Sequence, residues 1–240
     1  MPAADRPFRI AHLSDLHCGG PYFEANLLER AISEINELHP DIVVCSGDLT
    51  TFGFKHEYQL ARQYLDLIDC DAFVVVPGNH DARNVGYVHF EDLFGERSSV
   101  LRKDGVTIVA VDSTEPDLDH GQIGRGTYPW IEEQFREPAD LRIFVLHHHL
   151  LPVPGTGRER NVVYDAGDAI ECLLGAGVQL VLSGHKHVPY AWRLENLFVV
   201  NTGTVSSLRL RGNTRPCYNV VEVNGHHVSI SRRHPFHGEE

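Results

Sequence analysis

Short apolar runs alternate along the chain with longer segments whose apolar residues recur every three or four positions. The runs predict buried strands and the periodic segments predict amphipathic helices. The predicted strands cover residues 8–13, 41–45, 72–76, 106–111, 141–146 and 178–182. The predicted helices cover residues 24–38, 57–68 and about 165–174, with shorter ones at 87–94 and 128–135. This alternation predicts an α/β fold that contains βαβ units.

The pattern changes after Pro189, where short strands follow one another without helices between them. They cover residues 190–194, 197–201, 218–223 and 227–232. The dipeptide Asn224-Gly225 is a strong signal for a hairpin between the last two. The sequence therefore predicts a β-meander here. It shows no internal repeat, low-complexity segment or linker, which favours one domain over residues 1–240.

Five of the predicted strands end in side chains that can bind a metal ion. In chain order these are Asp15 and His17, Asp48, Asn79 with His80 and Asp81, His147 with His148 and His149, and His185 with His187. Ligands of open α/β sheets bind beyond the carboxyl ends of the strands. If the sheet is parallel, those ends converge, and we expect these side chains to face one another.

Such a cluster of buried carboxylates, amide and imidazoles is costly unless cations neutralise it. Nitrogen and oxygen ligands without a thiolate suit Mn, Fe, Zn or Co rather than Ca. Seven ligands are too many for one tetrahedral ion, and one shared carboxylate can bridge two ions about 3.5–4 Å apart. The sequence therefore predicts a site for two divalent or transition metal ions.

Taken singly, each of these motifs has an ordinary explanation as loop chemistry, and only the five together carry the metal prediction. His12 lies inside the first strand and is expected to be a core histidine. Cys18 and Cys45 are expected to be small buried apolar residues. The last histidines of the chain are expected at the surface; they are His226, His227, His234 and His237.

The series of motifs resembles the calcineurin-like metallophosphoesterase superfamily, whose pattern is DxH, GD, GNH(D/E), H and GHxH. The resemblance spans Asp15 to His187, about three quarters of the chain. It implies a four-layer α/β/β/α sandwich in which mixed β-sheets are flanked by helices. It also implies one metal held by Asp15, His17, Asp48 and His187, and a second held by Asp48, Asn79, His147 and His185. Asp48 would bridge the two.

The same resemblance assigns His80 as the general acid or a phosphate-contacting imidazole. The stretch LHHHLLP is similar to the LHHPPxP of the bacterial class III cyclic-nucleotide phosphodiesterase branch, where the first histidine is the ligand, which selects His147. His148 or His149 is then open to contact with substrate, and His148 is our first choice. Arg209 is a further candidate for binding phosphate, with Arg211 as its alternative. The loops 112–126 and 151–160 are expected to shape the substrate rim.

Three other branches fit less well. Ser/Thr protein phosphatases carry GDxVDRG and GNHE where this chain has GDLTTFG and GNHD, and UDP-diacylglucosamine hydrolases carry an arginine in place of His80. DNA-repair nucleases add a capping domain that 240 residues do not suggest. We therefore expect a phosphodiesterase that hydrolyses a nucleotide-like substrate, a cyclic nucleotide included, or a small phosphodiester with a metal-activated water. The alternatives are a phosphomonoesterase, a nucleotide-sugar pyrophosphatase and, more remotely, a non-catalytic scaffold of the same fold.

Composition favours some classes of binding partner and one cellular compartment over others. The net charge of −12 disfavours nucleic acid and anionic membranes as partners. The chain has no apolar run long enough to span a bilayer and no signal-peptide pattern at its start. Five cysteines without a CxxC motif indicate a reducing compartment, so a cytoplasmic location is expected. The oligomeric state is left open, a homodimer included.

Overall fold

The computed structural model describes residues 6–156, 162–225 and 227–235, and these residues form eleven strands and five helices. The strands are β1 (Phe8–Leu13), β2 (Ile42–Cys45), β3 (Phe73–Val75), β4 (Ser99–Lys103), β5 (Val106–Ala110), β6 (Leu141–Val145), β7 (Leu180–Ser183), β8 (Tyr190–Leu194), β9 (Leu197–Asn201), β10 (Tyr218–Asn224) and β11 (His227–Arg233). The helices are α1 (Ala25–Leu38), α2 (Lys55–Leu65), α3 (Gly86–Phe94), α4 (Tyr128–Gln134) and α5 (Ala166–Gly175).

The strands form two mixed sheets. The first has the order β11-β10-β1-β2-β3, and the second has the order β4-β5-β6-β7-β9-β8. Strands β1, β2 and β3 run parallel to one another, as do β5, β6, β7 and β9. Strands β4, β8 and β10 run antiparallel to their neighbours. The predicted mixed α/β class is thereby confirmed.

Three apolar layers hold the sheets and helices together. Between the sheets, residues such as Val44 and Ile143 pack face to face. Leu28 and Ile32 of α1 pack against the outer face of the first sheet together with the buried Tyr58 of α2. Helices α4 and α5 cover the outer face of the second sheet in the same way. Helix, sheet, sheet and helix therefore form the predicted four layers.

Two details of the sequence prediction were wrong. Strand β4 was missed because its mixture of polar and apolar residues has no clear period, although the turn Asp104-Gly105 that joins it to β5 is a hairpin signal. The predicted meander does not form, because its strands divide between the sheets. The β8–β9 hairpin joins the second sheet and the β10–β11 hairpin joins the first.

Loops from both sheets meet at one edge of the sandwich, beyond the carboxyl ends of the parallel strands. The Asp15 N–H donates to the Gly47 carbonyl (2.9 Å), which joins the loops after β1 and β2. The Gly184 N–H donates to the His147 carbonyl (3.0 Å), which joins the loops after β6 and β7. The His185 N–H donates to Asp15 Oδ2 (3.1 Å) and links the two sheets. This edge therefore brings the five sequence motifs together.

Candidate metal centre

The backbone at this edge is held in an unusual conformation. Asp15, His17, Asp48, His185 and His187 all have positive φ angles, between 52° and 75°. Residues other than glycine rarely adopt such angles, and when they do they cluster at functional sites where the surrounding structure enforces the strain. All five residues are among those that the sequence motifs singled out.

Two glycines of the motifs let the backbone approach the carboxylates closely. A Cβ atom on Gly78 would lie 2.2 Å from Asp48 Oδ1, and one on Gly184 would lie 2.4 Å from Asp15 Oδ2. No side chain fits at those distances, so glycine is required at both positions. The residues that follow these glycines, Asn79 and His185, are thereby placed against the acids.

The first donor set consists of Asp15, His17, Asp48 and His187, all buried, and one ligand atom from each lies within 4.8 Å of the others. The Nε2 atoms of His17 and His187 are 2.9 Å apart, and His187 Nε2 is 3.2 Å from Asp15 Oδ1. His187 Nδ1 donates to the Arg209 carbonyl (2.7 Å), which leaves the Nε2 lone pair directed into the cluster.

The second donor set consists of Asp48, Asn79, His147 and His185. His147 Nε2 lies 3.4 Å from Asp48 Oδ2 and 3.2 Å from Asn79 Oδ1, and His185 Nδ1 lies 2.9 Å from the same Asn79 oxygen. His147 Nδ1 donates to the Ser46 carbonyl (2.7 Å), which again directs Nε2 inward.

Asp48 belongs to both sets through one oxygen. Its Oδ2 lies 3.7 Å from His17 Nε2 and 3.4 Å from His147 Nε2, whereas its Oδ1 accepts the His80 N–H (2.8 Å). Oδ2 is thus the atom that faces the two groups of imidazoles at once.

The carboxylates of the cluster are charged at neutral pH. Burial by itself raises the pKa of Asp15, but His187 and His147 hold it below its usual range. Burial likewise opposes ionisation of Asp48, yet His147 lowers the pKa of Asp48 well below the usual value. In return, although burial lowers it, Asp48 raises the pKa of His147 to about 9. Two anions therefore lie buried side by side.

Two imidazoles of the cluster stay neutral. Burial lowers the pKa of His17 to about 3, and burial together with His148 lowers the pKa of His185 well below its usual value. Neutral imidazoles and ionised carboxylates are the forms that bind metal. Asp15 Oδ1 is buried and has no hydrogen-bond donor. An orphaned buried oxygen among nitrogen and oxygen donors fits a divalent cation.

His80 lies at the rim of the cluster and is 8% exposed. Its Nδ1 lies 2.7 Å from the Thr51 carbonyl, which can only accept, so the ring nitrogen Nδ1 carries a proton. Its ring meets that of His17 edge to face, with centroids 4.8 Å apart. Nε2 is therefore the ring nitrogen that can interact with a ligand in the cavity.

A polar cavity of about 220 Å³ opens over the cluster. Sequence reasoning missed several of its charged lining residues, which no motif marks: Arg83, Asp119 and Lys186. Arg83 forms an ion pair of 2.6 Å with Asp119, whose carboxylate also accepts from Asn79 Nδ2 (3.3 Å). Arg209 and Arg211, which the sequence proposed, line the same cavity. Residues from both sheets therefore surround it with positive charge in an otherwise acidic protein.

Other histidines lie outside the cavity. His148, our choice for substrate contact, is fully buried against His185, its Nδ1 lies 2.8 Å from Ser113 Oγ, and it does not line the cavity. His149 is also fully buried, with its ring stacked on His185. His12 is buried and bonds Ser46 Oγ through Nε2 (2.9 Å), as expected of a core histidine.

The remaining sequence expectations concern residues away from the cluster. Cys18 and Cys45 are buried, and burial raises the pKa of both thiols. His227 is exposed, as expected, and His234 is half-buried. His226, His237 and residues 157–160 of the second predicted rim loop lie outside the described residues. Among the described residues, no helix combines the length and apolarity needed to cross a bilayer.

The fold agrees with comparisons to known proteins. Residues 8–189 match the model of the calcineurin-like phosphoesterase family. The chain belongs to this family.

Particular relatives carry phosphodiesterase names. A probable glycerophosphodiester phosphodiesterase GpdQ from Arcobacter nitrofigilis is 32% identical over 129 residues, which cover 51% of this chain and 47% of the relative. A cAMP/cGMP dual specificity phosphodiesterase from Mycobacterium tuberculosis is 27% identical over 206 residues, which cover 78% of this chain and 65% of the relative. The chain thus spans about half to two thirds of the length of these relatives.

Solved structures show the same fold at low sequence identity. The purple acid phosphatase PPD1 of yellow lupin (Lupinus luteus) has a TM-score of 0.76 and 15% identity, over 100% of this chain and 53% of that one. A dimetal phosphatase from Danio rerio has a TM-score of 0.73 and 12% identity, over 96% of this chain and 97% of that one.

Proposed function

We propose that this protein is a metal-dependent phosphodiesterase that hydrolyses a nucleotide-like substrate or another small phosphodiester. The observation that carries the proposal is the position of Asp48 Oδ2 between two sets of inward-facing nitrogen donors. The relatives named as cyclic nucleotide and glycerophosphodiester phosphodiesterases support the substrate class. The donor types favour Mn, Fe or Zn.

The residues that would hold the metals form the two sets that the family motifs imply. Asp15, His17, Asp48 and His187 would hold one ion, and Asp48, Asn79, His147 and His185 would hold the other. Bound there, divalent cations supply charge neutralisation for the phosphoryl oxygens and lower the pKa of water towards neutrality. The carbonyls of Ser46 and Arg209 orient His147 and His187 for this task.

His80 and the arginines act on the substrate. His80 Nδ1 is tied to the Thr51 carbonyl, so its Nε2 faces the substrate, and the doubly protonated ring donates the Nε2 proton to the departing alkoxide. Arg83 and Arg209 line the cavity mouth and bind the phosphate oxygens that the metals leave free. Asp119 holds Arg83 in place before substrate binds. The scheme needs no serine or cysteine nucleophile.

A paired assay on purified, Mn-loaded protein tests the proposal. We expect bis(p-nitrophenyl) phosphate to be hydrolysed faster than p-nitrophenyl phosphate, and cyclic AMP is tested alongside as a natural diester. The Asp48→Asn variant removes the shared carboxylate charge and serves as the matched control, with activity reduced to background. Equal or faster turnover of the monoester would overturn the diesterase assignment in favour of a phosphomonoesterase. Full activity in Asp48→Asn would overturn the metal assignment.

A further inference from the structure

A second cavity, of about 200 Å³, opens beside the polar one. The two share His80, Arg83 and Arg209 in their linings. The lining of the second cavity is mostly apolar, whereas that of the first is mostly polar. A molecule whose phosphate lies against the shared arginines can therefore extend a neighbouring apolar group into the second cavity.

Two aromatic side chains line the second cavity and are open to solvent. Tyr22 is 55% exposed and Phe52 is 43% exposed. They come from the loops after β1 and β2, the loops that also carry His17 and Asp48. Exposed aromatic residues beside a polar catalytic cavity offer apolar ring surface for a ligand to cover.

The backbone of both aromatic residues is held in place. The Phe52 N–H donates to Oε2 of the buried Glu57 (2.8 Å), and Asn84 Nδ2 donates to the Phe52 carbonyl (3.0 Å). The Tyr22 carbonyl accepts from the Leu208 N–H (2.8 Å), next to Arg209. The backbone that carries the two rings is thus ordered before a ligand arrives, which reduces the entropy cost of binding.

We propose that the cavity lined by Tyr22 and Phe52 binds a flat aromatic group carried by the phosphoester, either a nucleobase or an aryl ring. The inference rests on the proposed function only for the position of the phosphate. Aromatic side chains stack on any flat ring, because every such ring presents a π-face. The site therefore selects phosphoesters with aromatic substituents over those with small alkyl groups.

Calorimetric binding to the Mn-loaded protein tests this without requiring turnover. Two matched pairs of ligands are compared, phenylphosphonate with methylphosphonate and adenosine monophosphate with ribose 5-phosphate. We expect the aromatic member of at least one pair to bind about five- to tenfold more tightly. A preference in the first pair identifies a ring close to phosphorus, and one in the second identifies a nucleobase. Equal affinities within both pairs overturn the inference.

Variants of Tyr22 and Phe52 test whether these two side chains cause the preference for the aromatic ligand. In Tyr22→Ala and in Phe52→Ala the affinity ratio of the responding pair should fall towards one. Tyr164→Ala is the control, because Tyr164 is 87% exposed and lines neither cavity, and its ratio should match wild type. Circular dichroism and metal content establish that each variant is folded and loaded. A ratio that survives both wall variants overturns the inference.

The binding data separate this inference from the proposed function. An aromatic preference that depends on Tyr22 and Phe52 upholds the cavity even if no phosphodiester is hydrolysed, in which case only the proposed function fails. Diester turnover with equal affinities for the matched ligands upholds the function, and then only the cavity assignment fails.

Discussion

Asp81 holds Thr50 by two hydrogen bonds to the same carboxylate oxygen. Asp81 Oδ1 accepts from the Thr50 N–H (2.8 Å) and from the Thr50 hydroxyl (2.7 Å). Its Oδ2 accepts from the N–H groups of Leu49 (3.0 Å) and Gly78 (2.8 Å). One buried side chain therefore ties the loop that carries Asp48 to the loop that carries Asn79 and His80.

Replacing this carboxylate should destabilise the fold. Both oxygens of Asp81 accept from donors, so in Asp81→Asn the side-chain NH2 group would face other donors and could not bond to them. We therefore expect a loss of about 2–4 kcal/mol in the free energy of unfolding. Thr50→Val removes one hydrogen bond and should cost about 1 kcal/mol. Urea unfolding of the metal-free proteins measures both losses. Similar stability in the two variants would show that Asp81 contributes no more than its bond to the Thr50 hydroxyl.

Metal removal should lower the thermal stability of the protein. Asp15 and Asp48 belong to a buried cluster that exists only in the folded chain, and a cation bound there at 100 times its dissociation constant stabilises the fold by about 2.7 kcal/mol. We expect EDTA to lower the melting temperature and added Mn to restore it. An unchanged melting temperature in EDTA-treated protein shown by elemental analysis to be metal-free would contradict this.

Asn79→Ala should reduce the bound metal from two ions to one. Asn79 Oδ1 faces both His147 and His185, so its loss weakens only the second donor set and should lower activity by orders of magnitude. Elemental analysis after reconstitution measures the stoichiometry. Asn196→Ala is the control, because Asn196 lies on the surface and lines neither active-site cavity. Wild-type metal content and activity in Asn79→Ala would refute the second donor set.

His80→Ala should slow the reaction according to the leaving group. We expect kcat to fall about 10²–10⁴-fold for an alkyl ester, whose alkoxide needs a proton, and much less for a p-nitrophenyl ester. Metal content should stay at the wild-type level, because His80 is not part of either donor set. His227→Ala, at an exposed position of β11, is the control. Equal falls for both leaving groups would rule out proton donation by His80.

Asp165→Asn should remove a pH-dependent part of the stability. Asp165 accepts from the N–H groups of Ile123 (3.0 Å) and Gly124 (2.7 Å) and from the Tyr128 hydroxyl (2.6 Å). Burial raises its pKa, but these donors, Tyr128 foremost, hold the pKa below its usual value.

A lowered folded-state pKa stabilises the protein above the unfolded pKa, near 3.9, and this contribution disappears as the pH falls through the folded pKa. Wild type should therefore exceed Asp165→Asn by about 1 kcal/mol at pH 7, since Asp165 is partly exposed, and the difference should shrink below about pH 4. Thermal unfolding across this range checks the trend. A difference that grows on acidification would reverse the assigned sign.

Much of the fold could be predicted because local patterns are strong here. The apolar runs of β1, β2 and β6 are fully or largely buried, and each is followed within two residues by polar side chains. Strand β4 was not predicted, because a half-buried strand has little alternation of polar and apolar residues. The division of the last four strands between the sheets was not predicted, because the sequence of a hairpin does not specify which sheet it joins.

The sequence by itself determined which side chains could bind metal and that they follow the ends of strands, because both properties are local. Only the tertiary structure decided how they are grouped. His17 and His187 are 170 residues apart in the chain and meet at 2.9 Å, and His148 is buried although its neighbour His147 faces the cluster. Tyr22 and Phe52 likewise become one cavity only when two loops pack together. Such groupings depend on contacts between distant segments, which no local pattern encodes.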